Sequence, residues 1–368
     1  MVDRVEHRQR RVLRTLSGEE RGAGAAILRA ALRVVEPAYA AAMAARNALY
    51  GAGVLAVRPL GRPVVSVGNM TTGGTGKTPV VQWLIKRLRE AGFRPAVLMR
   101  GYKAAGGMSD ERELLDRELN ADLAGGEPRV VVHAEANRVR GAAAVLRERP
   151  DVDVFVLDDG FQHRRAARDF DLVLVNAVEP FGYGHVLPRG LLREPLAGLR
   201  RAEAVVITRA DEVGAERLAE IEARVRRHNS SAPIFRADHV HTGVRAADAG
   251  HRVEQLKARR ALVFCGIGSP EGLVRKLEGY GATCVGRRWF PDHHAYTAAD
   301  VDGLKREAAA AGADVLVTTE KDWVKIERIP AARGGAIPIW RLALEVRFQG
   351  DGGEELLRRV REAIGRRR

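Results

Sequence analysis

The sequence predicts an α/β fold: a mostly parallel sheet with helices on both faces, followed by a smaller α/β domain and preceded by an amphipathic helical segment. Three observations carry this reading. Short apolar runs alternate with helical patterns from residue 64 to about residue 237, the rhythm of parallel strands joined by crossover helices. The first run, Val64-Val65-Ser66-Val67-Gly68-Asn69, opens into Met70-Thr71-Thr72-Gly73-Gly74-Thr75-Gly76-Lys77-Thr78-Pro79, a glycine loop closed by Lys-Thr at the start of an amphipathic helix. A later run, Val154-Phe155-Val156-Leu157, ends in two carboxylates, Asp158 and Asp159.

In chain order, residues 1–60 form the first segment. Ile27, Leu28, Ala31, Leu32 and Val35 recur at helical spacing with Arg29 and Arg33 on other faces, and a second helical stretch with Tyr39, Met43, Leu49 and Tyr50 is expected after Pro37. Such helices either pack on the core or lie in a membrane interface, apolar side chains inward and arginines at lipid phosphates. Residues before Leu16 are charged and expected to be mobile. The core, residues 61–237, takes strands at Val64, Ala96–Met99, Val130–Val132, Val154–Leu157, Leu172–Val175 and Ala204–Ile207. The second domain, 238–368, repeats the pattern with strands at Ala261–Phe264, Cys284–Gly286 and Val315–Val317. Residues 233–237 and 337–342 are expected to form a two-stranded link, so that a cleft could close between the domains and exclude water.

The glycine loop has the layout of a phosphate-binding P-loop, which makes the fold P-loop NTPase-type. Gly73, Gly74, Thr75 and Gly76 let backbone N–H groups turn around phosphates, Lys77 reaches the β and γ phosphates, and the Thr78 hydroxyl takes Mg²⁺. The helix from Pro79 through Leu88 adds its N-terminal dipole. The strict spacing of this motif would place glycine at residue 71, where the chain has Thr71. In an open parallel sheet ligands sit at the carboxyl ends of the strands, which brings Asp158 and Asp159 beside the loop as metal ligands.

The continuation Gly160-Phe161-Gln162-His163 is more specific than either motif. With Ser66 to Asn69, Gly73 to Pro79, Arg100-Gly101-Tyr102, Leu187-Pro188, Leu192-Arg193-Glu194-Pro195-Leu196, Phe290-Pro291-Asp292-His293 and Thr318-Thr319-Glu320-Lys321-Asp322, the chain resembles the tetraacyldisaccharide 4′-kinase (lipid A 4′-kinase) family. These matches follow the family's order across most of the chain, and Thr71 is the family's own variant of the loop. The resemblance implies an ATP- and Mg²⁺-dependent kinase. Its acceptor would be the 4′-hydroxyl of an acylated glucosamine disaccharide 1-phosphate, met at the cytoplasmic face of the inner membrane as a peripheral enzyme. It also favours the interfacial reading of the N-terminal helices.

Roles carried over by the resemblance make Asp110 the general base, positioned or tuned by His293, with Glu111, Asp158, Asp159 and Thr78 serving magnesium. Arg193 and Glu194 would line the substrate side, with Tyr102, Gln162 and His163 near the junction. The acidic pair is the open point. Gly125-Gly126-Glu127-Pro128 keeps the family's flanks without the aspartate, whereas Ser109-Asp110-Glu111 keeps both acids and is followed by a helical pattern with Leu114, Leu115 and Leu119 on one side. The second is preferred, since the first leaves no room for a helix before the strand at Val130. His294 adjoins His293, and only the Phe-Pro-Asp-His register selects between them.

Composition bounds these readings. With 368 residues, 46% apolar and 29% charged, the chain is a globular protein of more than one core. Its apolar stretches break well before the roughly 20 residues of a membrane span. Two cysteines, Cys265 and Cys284, and a charged start without a secretory leader suggest a reduced, cytosolic setting and no metal site of thiols. A net charge of +14 raises nucleic-acid binding, but arginine is dispersed and aromatics are only 5%, too few for a base-stacking platform. An anionic membrane and a phosphorylated lipid would use the same charge. The chain is expected to be monomeric and to bind no nucleic acid. The alternative function is a P-loop regulatory or partitioning ATPase at a membrane or DNA surface, which would have no need of the motifs around residues 290 and 320.

Overall fold

The computed structural model describes residues 11–101, 110–121, 123, 127–246, 250–266, 270–291 and 294–366, the side chains of residues 110 and 111 excepted. They divide into two compact units, one of residues 12–239 with 346–368 and one holding 240–345.

In the first unit, strand β1 (Val64–Asn69) is flanked by β4 (Val154–Asp158) and β5 (Phe170–Asn176), all parallel. β2 (Pro95–Met99) and β3 (Val131–Ala134) extend the sheet beyond β4, and β6 (Ala204–Thr208) and β7 (Ile234–Arg245) extend it beyond β5. The strand order reverses at β1, so the crevice outside its carboxyl end is the place for a ligand. β1, β2, β5 and β6 are buried on both faces, which explains why they read as continuous apolar runs rather than alternating ones.

Alternate side chains serve opposite faces. Val65 and Val67 pack on the helix Lys77–Glu90 (Val80, Val81, Leu84, Ile85, Leu88), while Val64 joins Leu98, Phe155, Leu157 and Val145 on the other side. Leu115 and Leu119, one turn apart in the helix Asp110–Asn120, are buried in the first of these clusters. So are Leu356, Leu357, Val360 and Ile364 from the last helix, Gly352–Gly365. The expected second domain of residues 238–368 is corrected here: its final helix returns to the first unit, because its apolar stripe completes that unit's core. The chain crosses between units along β7 and along β12 (Ile339–Phe348), neighbours in strand order, where a two-stranded link was expected.

In the second unit the two-residue β8 (Gly250–His251) pairs antiparallel with the end of β7, and β9 (Arg260–Cys265) lies between β10 (Thr283–Trp289) and β11 (Val315–Thr319), these three all parallel. Ala261, Val263 and Cys265 face one cluster and Leu262 and Phe264 the other.

The N-terminal segment also differs from expectation. A single helix, Ala23–Gly51, here called α1, runs through Pro37. The lost N–H bond is tolerated because the flanks are alanine-rich and strongly helical, and because side chains on both sides of the proline are tied to the core. α1 contains no fully buried residue, and Ile27 (69% exposed), Val34 (80%), Val35 (53%), Leu28 and Leu49 stand in the open. Ile27, Leu28 and Val35 therefore take no part in core packing, whereas Tyr39 and its neighbour Ala40 do pack against the core. Arg29 donates to the carbonyl oxygens of Thr15 and Glu20, so it braces the preceding turn. No helix among the described residues is long and apolar enough to cross a membrane.

Candidate active site

The loop between β1 and the helix Lys77–Glu90 reverses direction through two left-handed glycines, Gly73 (φ 118°) and Gly76 (φ 74°). At Gly76 an added Cβ would fall 2.6 Å from the His239 ring, so glycine is required by conformation and by space. Strand ends hold the loop from behind. Asn176 Nδ2 at the end of β5 donates to the Gly74 carbonyl (3.2 Å), and Thr208 Oγ1 at the end of β6 donates to that of Thr75 (2.9 Å). Buried His239 on β7 meets Gly76. With the carbonyls of Gly74 and Thr75 drawn backward, the N–H groups in the same peptide planes, those of Thr75 and Gly76, are directed forward, as a phosphate cradle needs. Lys77, Thr78 and Pro79 form the first helical turn, where proline lacks only an N–H that has no helical partner anyway.

Lys77 Nζ donates to Asn69 Oδ1 (3.2 Å) and stands 3.5 Å from Asp159 Oδ1. Arg193 Nη1 contacts both carboxylate oxygens of Asp159 at 2.7–2.8 Å. Burial would push the Asp159 carboxyl up, but Lys77 and Arg193 outweigh it and hold the group below the usual carboxylate value. The backbone at Asp159 is left-handed (φ 55°), which aspartate tolerates better than most residues. Arg193 arrives there because its segment is stitched to the loop entrance. The Thr72 N–H donates to the Leu191 carbonyl (2.8 Å), and the Arg193 N–H to that of Met70 (2.7 Å).

Asp158 closes β4 opposite Val67. Gln162 Nε2 donates to the Asn69 carbonyl (2.9 Å) and to Glu194 Oε1 (3.0 Å). The structure thus brings Lys77, Asp159, Gln162, Arg193 and Glu194 together within the first unit. Glu194 is fully buried, however, and holds its neighbours rather than lining an open substrate surface as expected.

His163 is half-buried. Burial first, and then the charges of Arg138, Arg168, Arg46 and Arg165, push its imidazole down to about 4. A histidine lowered from 6.5 is neutral in the folded protein at physiological pH, and the stability it contributes is lost as pH falls from 6.5 through about 4. His163→Gln should flatten that part of a denaturation-versus-pH curve and leave the acid limb of the pH–rate profile in place. A limb that moves with this substitution would contradict the assignment.

Tyr102 and His293, together with the side chains of Asp110 and Glu111, lie outside the described residues. The backbone of Asp110 opens its helix. Glu127, from the competing segment, is exposed and paired with Arg89. In the second unit His294 is taken up structurally: it stacks on Phe290 (4.7 Å between ring centres) and its Nε2 meets Asp300 at 3.3 Å. The Thr319 to Asp322 stretch is likewise a clamp. Fully buried Asp322 accepts from the Gly266 N–H, Thr319 Oγ1 and the Tyr296 hydroxyl, and burial with this carboxylate pushes the Tyr296 phenol up. Glu320 pairs with Arg341 (2.8 Å) and Arg245 (3.4 Å).

Three residues that carry the site had no role in the sequence reading: Asn176, Thr208 and His239. Asn176 and Thr208 each end a strand, where a polar residue after an apolar run was the available signal, whereas His239 lies within β7 and had none.

Among the described residues no group of three or more His, Cys, Asp or Glu side chains could hold a metal by itself. Magnesium does not need one, since it is bound through one or two protein oxygens plus substrate phosphates. The Thr78 hydroxyl and the Asp158 carboxylate are oxygen donors of that kind, and Lys77 with the left-handed glycine loop suits a triphosphate.

Comparison with known proteins agrees with this chemistry. Residues 28–362 match the tetraacyldisaccharide-1-phosphate 4′-kinase family, LpxK. The tetraacyldisaccharide 4′-kinase of Anaeromyxobacter dehalogenans is 40% identical over 347 residues, covering 89% of each chain. That of Geobacter sulfurreducens is 39% identical over 349 residues, covering 90% of this chain and 93% of its own. LpxK from Aquifex aeolicus, crystallised in complex with ATP, superposes with a TM-score of 0.69 at 26% identity, covering 92% of this chain and 99% of its own. A glycine loop with Lys77 against Asp159 and Arg193, inside a match that runs nearly end to end, leaves one conclusion: the chain belongs to the tetraacyldisaccharide-1-phosphate 4′-kinase family.

Proposed function

We infer that this chain is an ATP- and Mg²⁺-dependent kinase of lipid A biosynthesis that moves the γ-phosphoryl group to the 4′-hydroxyl of a tetraacylated glucosamine disaccharide 1-phosphate. The observation that carries this is the Lys77–Asp159–Arg193 cluster at the carboxyl end of β1 and β4, in a chain of that family. Lys77 and the loop amides hold the triphosphate. Thr78 and Asp158, with Glu111, would hold Mg²⁺, which when bound would supply charge neutralisation at the triphosphate. Asp159, expected among the magnesium ligands, is already shared by Lys77 and Arg193, which favours for it the part of fixing these two cations in the geometry that a transferring phosphoryl group meets. Asp110 takes the proton of the attacking hydroxyl and His293 orients or tunes it. Tyr102 and His163 would serve the acceptor side.

Turnover of ATP should depend on the acceptor. Purified protein with ATP and Mg²⁺ alone should release ADP only slowly, and adding the acylated disaccharide 1-phosphate should accelerate it many-fold. Equal rates with and without acceptor would favour a switch ATPase and remove the kinase reading.

The exposed apolar stripe of α1 supports attachment to a membrane surface, and we propose that this surface is the anionic cytoplasmic face of the inner membrane and that the protein acts there as a monomer with no nucleic-acid partner. Replacing Ile27, Leu28, Leu32 and Val35 together with serine should move the protein from the pellet to the supernatant when sedimented with anionic vesicles, while nucleotide binding is kept. Unchanged sedimentation would show that the stripe does not face lipid.

A further inference from the structure

Although α1 buries no residue fully, one face of it, where Tyr39 and Ala40 pack against the core, is also bonded to the nucleotide site by polar groups. Glu36 accepts from the Val186 N–H (3.0 Å) and meets His185 Nδ1 (3.1 Å). The Tyr39 hydroxyl donates to the Arg193 carbonyl (2.9 Å), and Arg46 Nη2 to the Gln162 carbonyl (2.9 Å). Asn47 Nδ2 donates to Glu194 Oε2 at 2.7 Å, while Arg164 Nη1 returns a bond to the Asn47 carbonyl at 2.7 Å. The numbering 36, 39, 46, 47 repeats at helical spacing, so a single stripe makes all these contacts.

Glu194 is the centre of this arrangement. It is 0% exposed, and its carboxylate is divided between two sets of donors. Oε1 takes Gln162 Nε2 (3.0 Å) and Arg201 Nη2 (2.9 Å), and Oε2 takes Asn47. A Cβ at Gly198 would lie 2.6 Å from Oε2, so only glycine there leaves room for the carboxylate in this orientation. Gln162 Nε2 also bonds the Asn69 carbonyl, and Asn69 Oδ1 receives Lys77 Nζ. A continuous run of hydrogen bonds therefore leads from Asn47 on the surface helix to the P-loop lysine.

We propose that Asn47 is a positioning residue for phosphoryl transfer: by holding Glu194 it fixes Gln162 and Asn69, and through them the Lys77 ammonium. A buried carboxylate that loses one donor turns toward those that remain, and a network of this kind responds as a unit because each bond polarises the next. Asn47 acts through Glu194, and its effect falls on the ATP side of the reaction. The proposal rests on Lys77 being the triphosphate ligand.

The test uses the full-length protein and its Asn47→Leu, Asn47→Asp, Glu194→Gln, Asn47→Asp/Glu194→Gln and Lys77→Ala variants, with Ala45→Ser, exposed on the same helix, as a control. A fluorescent ATP analogue gives nucleotide affinity, steady-state kinetics give kcat and both KM values, and the unfolding temperature reports folding. Asn47→Leu should weaken ATP affinity and lower kcat by about tenfold, with the KM for the lipid changed by less than about twofold. Asn47→Asp, which sets two carboxylates against each other, should do worse. The double variant restores the bond with donor and acceptor exchanged and keeps the net charge, so it should recover most of the loss. A double variant no better than the worse single one would overturn the proposal. So would wild-type ATP affinity and kcat in Asn47→Leu, the reading that decides if Asn47→Asp does not fold. Lys77→Ala separates the two failures: if it keeps nucleotide affinity, the nucleotide-site reading falls and the relay with it, whereas if it loses affinity and Asn47→Leu does not, the relay alone falls.

Discussion

Lys77→Ala and Thr78→Ala should each remove most of the kinase activity, by roughly 3 kcal/mol or more of transition-state stabilisation, a loss of at least about a hundredfold in rate. The expectation follows from preorganisation. Lys77 is oriented by Asn69 and Asp159, and the loop that delivers it is braced by Asn176, Thr208 and His239. Alanine at 77 also leaves Asp159 with Arg193 as its remaining close cationic partner among these two, so its carboxyl should rise toward the ordinary value. Steady-state assays on folded variants, confirmed by unchanged circular dichroism, check this. Near-normal turnover in either would refute the nucleotide-site assignment.

A second large effect is expected at the base. Asp110→Ala should lower kcat by about 10²–10⁴-fold with little change in ATP affinity, and His293→Ala should fall in the same range. If the two act as one unit, the double variant will be scarcely worse than the worse single one, because losses within a coupled pair do not add. Independent roles would multiply the losses. Full activity in Asp110→Ala together with inactivity in Glu127→Ala would reverse the choice between the two acidic segments. The exposed pairing of Glu127 with Arg89 supports the choice made.

The parts of this site that could be read from sequence are those whose chemistry is local. A strand, a glycine loop and Lys-Thr lie within sixteen consecutive residues, and the carboxylates sit directly at the end of an apolar run, so chain order alone implied their meeting at the sheet's edge. Long-range polar pairing has no such signature. Nothing in the sequence near Asn47 points to Glu194, 147 residues away, and the buried state of Glu194 depends on a glycine four residues later. The final helix was placed with the wrong unit for a similar reason: its apolar stripe fits any core, and only the folded chain shows which one it completes. Pro37 was given its usual local meaning as a break, while the helix continues through it because anchors at Glu36 and Tyr39 hold both sides. His294 was separated from His293 by register alone, and its stacking on Phe290 and contact with Asp300 now give it a structural role.

The central claim is phosphoryl transfer to a lipid hydroxyl, and mass spectrometry of the lipid tests it most directly. The full-length protein is incubated with ATP, Mg²⁺ and a tetraacylated glucosamine disaccharide 1-phosphate in mixed micelles, and the extracted lipid is fragmented to locate the new group. The account predicts a product with one added phosphate on the distal sugar at its 4′-oxygen, formed by the wild type and not by Lys77→Ala. Unmodified lipid alongside full conversion of ATP to ADP and inorganic phosphate would contradict it.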